Sequence, residues 1–176
     1  VSFAKRLRDE VGKKCQVVLY KKAANYEGVI NVTSTAKEEA AGFVYYVLGA
    51  SAGCDVNKGL DNGLYLGEYT LADKLAQRDL EKAIIKGEFV FHRDNDDVRV
   101  LEDINSFTEF SKDKNNDFAQ NQVIRVLDQI AMDIAKIFNS TYVGKVQNNE
   151  DGRISLWADI TNHAKTLEKL GAIEDF

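Results

Sequence analysis

Apolar positions fall into short, β-rich runs and brief helical faces over the first two thirds of the chain, and into long helical stripes over the last third. Phe3, Leu7 and Val11 recur at a spacing of four with Gly12 behind them, which predicts a short basic helix over 2–12. Runs 15–20 and 28–32 read as a strand pair joined loosely through 21–27. Thr35 and Glu38 have the spacing of a capping box, and Ala36, Ala40, Phe43, Val44, Val47 and Leu48 then line one face of a helix that stops in 49–53. Glycines at 59, 63 and 67 frame a short strand at 64–66. Thr70 with Asp73 predicts a further helix, with Leu71, Leu75, Leu80, Ala83 and Ile84 inward and Gly87 as a left-handed stop.

A hairpin follows: apolar alternation in 88–92 and 97–104 flanks the turn cluster Arg93-Asp94-Asn95-Asp96. Residues 105–117 are polar and read as loop. Val123, Leu127, Ile130, Ile134 and Ile137 then step by four and three residues, a stripe along one side of a long amphipathic helix that is expected to be core. Arg125, Asp128, Gln129, Asp133 and Lys136 occupy the other side, so this helix is expected to pack on one flank only. After a loop over 139–152, a last helix carries Leu156, Trp157, Ile160, Leu167 and Leu170 inward and ends at Gly171, leaving 172–176 as a tail. Strands mingled with helices, then helices alone, predict a single α/β (α+β) domain over 1–176: a mixed β-sheet with a hairpin, covered by several helices.

With 176 residues the chain is about one domain long, and 44% hydrophobic with 29% charged residues is an ordinary globular balance. A net charge of −5 argues against binding a nucleic-acid backbone. The longest uninterrupted apolar run, 43–48, is far short of the 18 or so residues of a membrane helix, so no membrane insertion is expected. Proline is absent, and turns fall to Gly, Asn and Asp. Cys15 and Cys54 suit neither a disulfide framework nor a zinc site; Cys15 reads as a small buried hydrophobe. The chain opens on Val1 within a helical pattern, which suggests a piece of a longer polypeptide.

Candidate chemistry is sparse. His92 and His163 sit in no metal-ligating spacing. Asp94, Asp96 and Asp97 lack the glycine and glutamate of a calcium loop, since positions six and twelve are Arg99 and Asn105; the run Asp113–Asp117 fails the same test. Spacing the glycines four apart makes no dinucleotide or phosphate loop. No cofactor, no metal and no catalytic residue is expected.

Several phrases occur in a telling order. Gly87-Glu88-Phe89-Val90-Phe91, the stretch from Val98 to Asn105, Asn121 to Ile130, Tyr142 to Val146, Asp151-Gly152-Arg153 and Leu170-Gly171-Ala172-Ile173 resemble the contractile phage tail sheath family. Residues 5–10 and 16–19 resemble the opening of that family's C-terminal domain. The resemblance implies a structural subunit without cofactor or catalysis. Copies would stack as hexameric rings around a tail tube, above a baseplate, in a phage or phage-like bacteriocin assembled in the bacterial host cytoplasm. Contraction of the helical sheath would drive the tube into the target envelope.

Neighbouring copies in that family exchange terminal strands, an edge-strand addition. The resemblance marks 1–176 as a fragment without outer domains or terminal arms, which on its own would be monomeric. Lys165 and Lys169 on the last helix are the candidates to face the tube, by charge. Two alternatives stay open: a cytoplasmic binding or regulatory module docking a partner helix on the 123–137 stripe, and, behind it, a cofactor-free enzyme built on groups such as Asp103 and His92.

Overall fold

β-Branched and aromatic residues make the first two strands, β1 (Val17–Tyr20) and β2 (Val29–Val32). In the computed structural model, which describes residues 1–174, these run parallel with Val17 opposite Val29. A two-residue strand, β3 (Glu88–Phe89), joins parallel on the other side of β2. The order β1-β2-β3 leaves β2 central and buried at every position. Parallel neighbours ordinarily need a crossover of about a dozen residues. The link 21–28 is shorter, and it turns at Lys21 and Asn25, whose φ angles are 49° and 44°.

The hairpin forms from β4 (Phe91–Asp94) and β5 (Asp97–Val100). Its turn is Asn95-Asp96, with Asn95 at φ 56°, the left-handed conformation that a tight two-residue hairpin favours. Gly63 and Tyr65 bond to β5 through Val100 N to Gly63 O (2.9 Å) and Tyr65 N to Val98 O (2.8 Å), so the far edge of β5 is covered.

Five helices complete a mixed α/β architecture: α1 (Ser2–Lys5, running on into a π-turn at Arg6–Glu10), α2 (Gly42–Gly53), α3 (Gln77–Ile85), α4 (Asn121–Ile137, followed by a π-turn at Phe138–Tyr142) and α5 (Glu150–Lys169). The chain forms two compact units, Val1–Asp55 with Gly59–Ile124, and Val56–Lys58 with the chain from Arg125 onward. The last two positions of the tail expected over 172–176 lie outside the described residues.

The first unit holds an aromatic core. Phe43 of α2 stacks on Phe91 of β4 at 4.6 Å between ring centres, and Tyr65 lies 5.0 Å from Phe43. Ile30, Val32, Val47, Leu71, Phe89 and Val100 close around them. Leu80 and Ala83 of α3 pack with Val90, and Gly87 takes the expected left-handed stop at φ 65°.

Two local expectations fail together, for one reason. Neither T-x-x-[DE] sequence caps a helix: α2 begins only at Gly42 and α3 only at Gln77. The two motifs bond to each other instead. Thr35 N donates to Asp73 Oδ2 (2.5 Å), Thr70 N donates to Glu38 Oε2 (2.9 Å), and the backbones meet at an Ala36–Leu71 bridge. The Thr70 amide holds the Glu38 carboxyl below its ordinary range. Leu75, expected inward, is exposed.

The basic N-terminal helix does not simply solvate its charges. Arg8 is buried, its guanidinium donates to Cys15 O (2.8 Å), and its Cδ lies 2.5 Å from where a Cβ on Gly28 would stand. Cys15 itself is half-buried.

In the second unit, Asn149 caps α5 by accepting from Gly152 N (2.9 Å), and Gly171 at φ 71° stops it as expected. Tyr142 donates its hydroxyl to Asp159 Oδ2 (2.6 Å). Asp133 on α4 accepts from Gln129 Nε2 (2.8 Å) and lies 3.2 Å from His163 Nε2 on α5, while Arg125 donates to Lys58 O (2.9 Å). The polar side of α4 is thus engaged, and the expectation of one packed flank is corrected. The expected stripe is also redistributed. Leu127 is exposed, Val123, Ile130, Ile134 and Ile137 are half-buried, and the buried positions of α4 are Asn121, Ile124, Val126 and Asp128. The hydrogen bonds of Asn121 draw the start of α4 inward on a side that apolar periodicity alone does not mark.

Candidate assembly surfaces

Strand order makes β1 an edge. Val17 N donates to Gly28 O and Lys21 N to Val32 O, both at 2.9 Å, so odd-numbered residues of this strand turn their backbone toward β2. Parallel geometry then turns the N–H and C=O groups of Val18 and Tyr20 outward. No strand lies beyond them among the described residues. Such an edge is a template for one more strand.

A buried polar hub is bonded to this sheet through Val29 of β2. Asp103, Asn105, Ser106 and Asn121 are each 2% exposed or less. Asn121 Nδ2 donates to Asp103 Oδ1 (2.9 Å) and Asn121 Oδ1 accepts from Gln16 Nε2 (2.8 Å). Asp103 Oδ2 accepts from Leu60 N (3.1 Å), and Asp61 Oδ1 accepts from Asp103 N (2.7 Å). Ser106 N donates to Val29 O (2.8 Å) and its hydroxyl to Tyr26 O (3.0 Å). The hub therefore ties the approach to β1, the central strand and the first turn of α4 into one frame. Unsatisfied, each of these groups would cost about 1–3 kcal/mol; paired, they fix one arrangement. Residues 105–115 are loop, as their polarity predicts, and long-range partners bury Asn105 and Ser106 within it.

Lys165 and Lys169 stand one turn apart on α5 and both are exposed, with Glu168 exposed beside them. On the same helix Ala164 and Leu167 are buried and Leu156 and Ile160 half-buried. Trp157, expected inward, is 66% exposed, and Leu170 is also exposed. Apolar residues occur around most of α5, so the pattern fits more than one inward face, and Trp157 lies off the one the unit uses.

No catalytic constellation comes together among the described residues. The Asp103 carboxylate is committed to the hub. His92 lies on β4 and lines neither cavity of the first unit described next. One cavity, about 320 Å³, is a largely apolar groove lined by Ile84, Ile85, Phe107 and Phe110. Another, about 310 Å³, mixes Lys21, Lys82 and Lys86 with Asp73, Asp79 and Glu88. In the acidic turn, Arg99 pairs with Asp97 (2.9 Å) and Asp94 (3.7 Å), and no group of three metal-ligating side chains occurs among the described residues. Among the described residues no helix is long and apolar enough to cross a membrane.

An open strand edge beside a hydrogen-bonded buried hub, with no catalytic constellation among the described residues, suits a structural protein, and the comparisons show a structural family. Residues 1–106 match the phage tail sheath protein central domain and residues 113–176 the phage tail sheath C-terminal domain. The chain belongs to the phage tail sheath family. It is 34% identical to XkdK of the phage-like element PBSX of Bacillus subtilis, over 99% of this chain and 41% of that protein. It superposes on the crystal structure of a sheath tail protein from Desulfitobacterium hafniense with a TM-score of 0.91 and 40% identity, covering 99% of this chain and 43% of that one. The fold is shared further, with the helical sheath of the anti-feeding prophage in its contracted state (TM-score 0.72, 12% identity, 95% of this chain and 50% of that one). The chain thus spans less than half the length of the PBSX and D. hafniense relatives. Its family is a structural one, found in the tails of phages and phage-like particles, whose members build oligomeric sheaths.

Proposed function

We propose that this chain is the lattice-bearing part, residues 1–176, of a contractile tail sheath subunit, and that it acts without catalysis or cofactor. Copies form hexameric rings stacked into a helical sheath around a tail tube above a baseplate, in a virion tail or bacteriocin particle assembled in the host cytoplasm. Rearrangement of the copies from an extended to a contracted lattice drives the tube into the target envelope. The observation that carries this reading is the open edge of β1: a neighbour's terminal strand added there links copies while leaving each domain rigid. Lys165 and Lys169 face the tube in this reading, supported by their joint exposure on one side of α5.

Val18→Pro in the full-length parent tests the edge. It removes an outward N–H and leaves the bonds of Val17 and Lys21 to β2 in place. Electron microscopy should show a folded subunit that builds no tubes; ordinary tubes would refute strand addition at β1. Charge reversal at Lys165 and Lys169 should abolish decoration of the tube, and unchanged decoration would remove those two residues from the tube interface.

A further inference from the structure

Among the described residues, Lys21, Asn25, Asn62 and Asn95 take positive φ angles without being glycine. Of these only Asn62 precedes a glycine, and Asn62-Gly63 is the sole Asn-Gly pair in the sequence. The turn over 60–63 demands both residues. Asn62 stands at φ 55°, a left-handed conformation that asparagine tolerates and most side chains do not. A Cβ on Gly63 would stand 2.8 Å from Leu60 O, so this position calls for glycine.

Asparagine before glycine is a chemically exposed pair, because no side chain shields the glycine amide from the carboxamide beside it. Asn62 is exposed and its carboxamide makes no hydrogen bond among the described residues, while its backbone oxygen accepts from Arg99 Nη1 (3.2 Å). The turn itself is the restraint: Gly63 N, the atom that would attack, donates to Leu60 O (2.9 Å). The asparagines followed by serine are held more firmly. Asn105 is fully buried in the hub, and Asn139 lies within the helical turn Phe138–Tyr142.

We propose that Asn62 is a site of covalent modification, deamidation gated by opening of the 60–63 turn, and that its isoaspartate product uncovers the far edge of β5. Once the turn opens, Gly63 N gives up its proton to hydroxide and attacks Asn62 Cγ. The new N–Cγ bond closes a succinimide ring as the Cγ–Nδ2 bond breaks, and the side-chain nitrogen leaves as ammonia. Water then opens the ring, giving aspartate by attack at Cγ and isoaspartate by attack at the main-chain carbonyl. A water is consumed for each ammonia released, and nothing is oxidised or reduced.

Isoaspartate routes the main chain through its own Cβ and Cγ, which lengthens the turn at a place where both flanks are tied down. Leu60 N donates to Asp103 Oδ2 in the hub (3.1 Å), Gly63 O accepts from Val100 N (2.9 Å), and Tyr65 N donates to Val98 O (2.8 Å). A longer turn cannot keep all three, and the two bonds to β5 are the more exposed to water. Their loss leaves a second unpaired sheet edge, open to strand addition or aggregation. The reaction needs no partner, so it stands or falls apart from the sheath reading.

Peptide mass mapping of the chain, incubated at neutral and at mildly alkaline pH, folded and in urea, tests the site. The tryptic peptide Gly59–Lys74 should gain the mass of an NH-to-O exchange at Asn62 before any other asparagine does, and faster at the higher pH. The gain should be about tenfold or more faster in urea than in the folded chain, because opening of the turn limits it. No gain in the folded chain, equal rates in both states, or earlier gain at another asparagine would each overturn the proposal. Hydrogen exchange then reads the consequence: the Tyr65 and Val100 amides of the isoaspartate product should exchange about tenfold or more faster than in the unmodified chain. Asn62→Gly, which keeps a left-handed turn, should gain no mass in this peptide, and Asn62→Asp should retain ordinary exchange because its main chain is not lengthened. Ordinary exchange in the isoaspartate product would overturn the uncovering of β5.

Discussion

The two units of this chain are built on opposite principles. In the first, strands and helices converge on one closed core: Phe43, Phe89, Ile30 and Val32 have no measurable exposure, and every residue of the three apolar clusters belongs to it. In the second, Val126, Tyr142, Ala164 and Leu167 are the buried apolar residues, while Leu127, Met132, Phe138, Val143, Val146, Ile154, Trp157 and Leu170 stay exposed. The first unit closes a core around its aromatic residues while leaving the β1 edge open. The second buries few apolar residues for its length and keeps large ones at its surface. Substitutions in the closed core of the first unit should therefore register in folding, and substitutions at exposed apolar residues of the second chiefly in assembly.

The sharpest test of that contrast is Phe43→Ala. The ring stacks on Phe91 and touches the Tyr65 cluster, so the change should cost about 3–5 kcal/mol in urea unfolding of the chain. A loss below about 1 kcal/mol would mean the first unit is not held by this core, and the contrast collapses. Next in size is Asn121→Ala. It strands Asp103 Oδ1 and the Gln16 amide in the buried hub, for an expected cost of about 1–3 kcal/mol in the same measurement. A neutral result would show that the hub is not what fixes the start of α4.

What the sequence made legible divides along similar lines. The hairpin, the left-handed stops at Gly87 and Gly171 and the ends of α4 and α5 follow from residues within a few positions of each other, and there reading succeeded. The T-x-x-[DE] pairs at Thr35 and Thr70 were misread because their partners lie about 35 residues away, and a local motif carries no information about a distant one. Residues 105–115 form the loop that their polarity predicts, but the burial of Asn105 and Ser106 within it is set by distant partners that local polarity does not reveal. Among the candidate surfaces, Lys165 and Lys169 could be named in advance by charge. The β1 edge could not, because an edge is a property of strand order, and nothing in residues 17–20 tells which strand will lie beside them.

A phenol–carboxylate pair occurs in each unit and gives a smaller, pH-dependent handle on the comparison. Tyr26 donates to Asp9 (2.7 Å) in the first unit, with burial as the leading cause of its raised pKa; in the second the hydrogen bond to Asp159 leads, pushing Tyr142 up to about 12. Both favour the neutral phenol. The Tyr142 contribution is thus complete below the ordinary value near 10 and is lost as pH rises from there to about 12. Tyr142→Phe should remove that part of the alkaline fall in stability, as read by helical circular dichroism against pH. An unchanged alkaline profile would assign the fall to Tyr26 and the first unit.

The smallest expected effect concerns Trp157, the sole tryptophan. At 66% exposure its ring contributes little to holding the second unit together, so Trp157→Ala should shift unfolding by no more than about 0.5 kcal/mol. In the wild-type chain, iodide should quench its fluorescence nearly as well as that of free indole. Assembly of the full-length parent should then shift the emission to the blue and protect it, if the apolar surface of the second unit is where partners land. Large destabilisation by Trp157→Ala would mean that α5 is packed on that side and the second unit is as closed as the first. Full quenching within assembled particles would be the subtler outcome: it would leave the unit open but move its partner to another face, past Ile154 and Trp157 toward Phe138 and Val146.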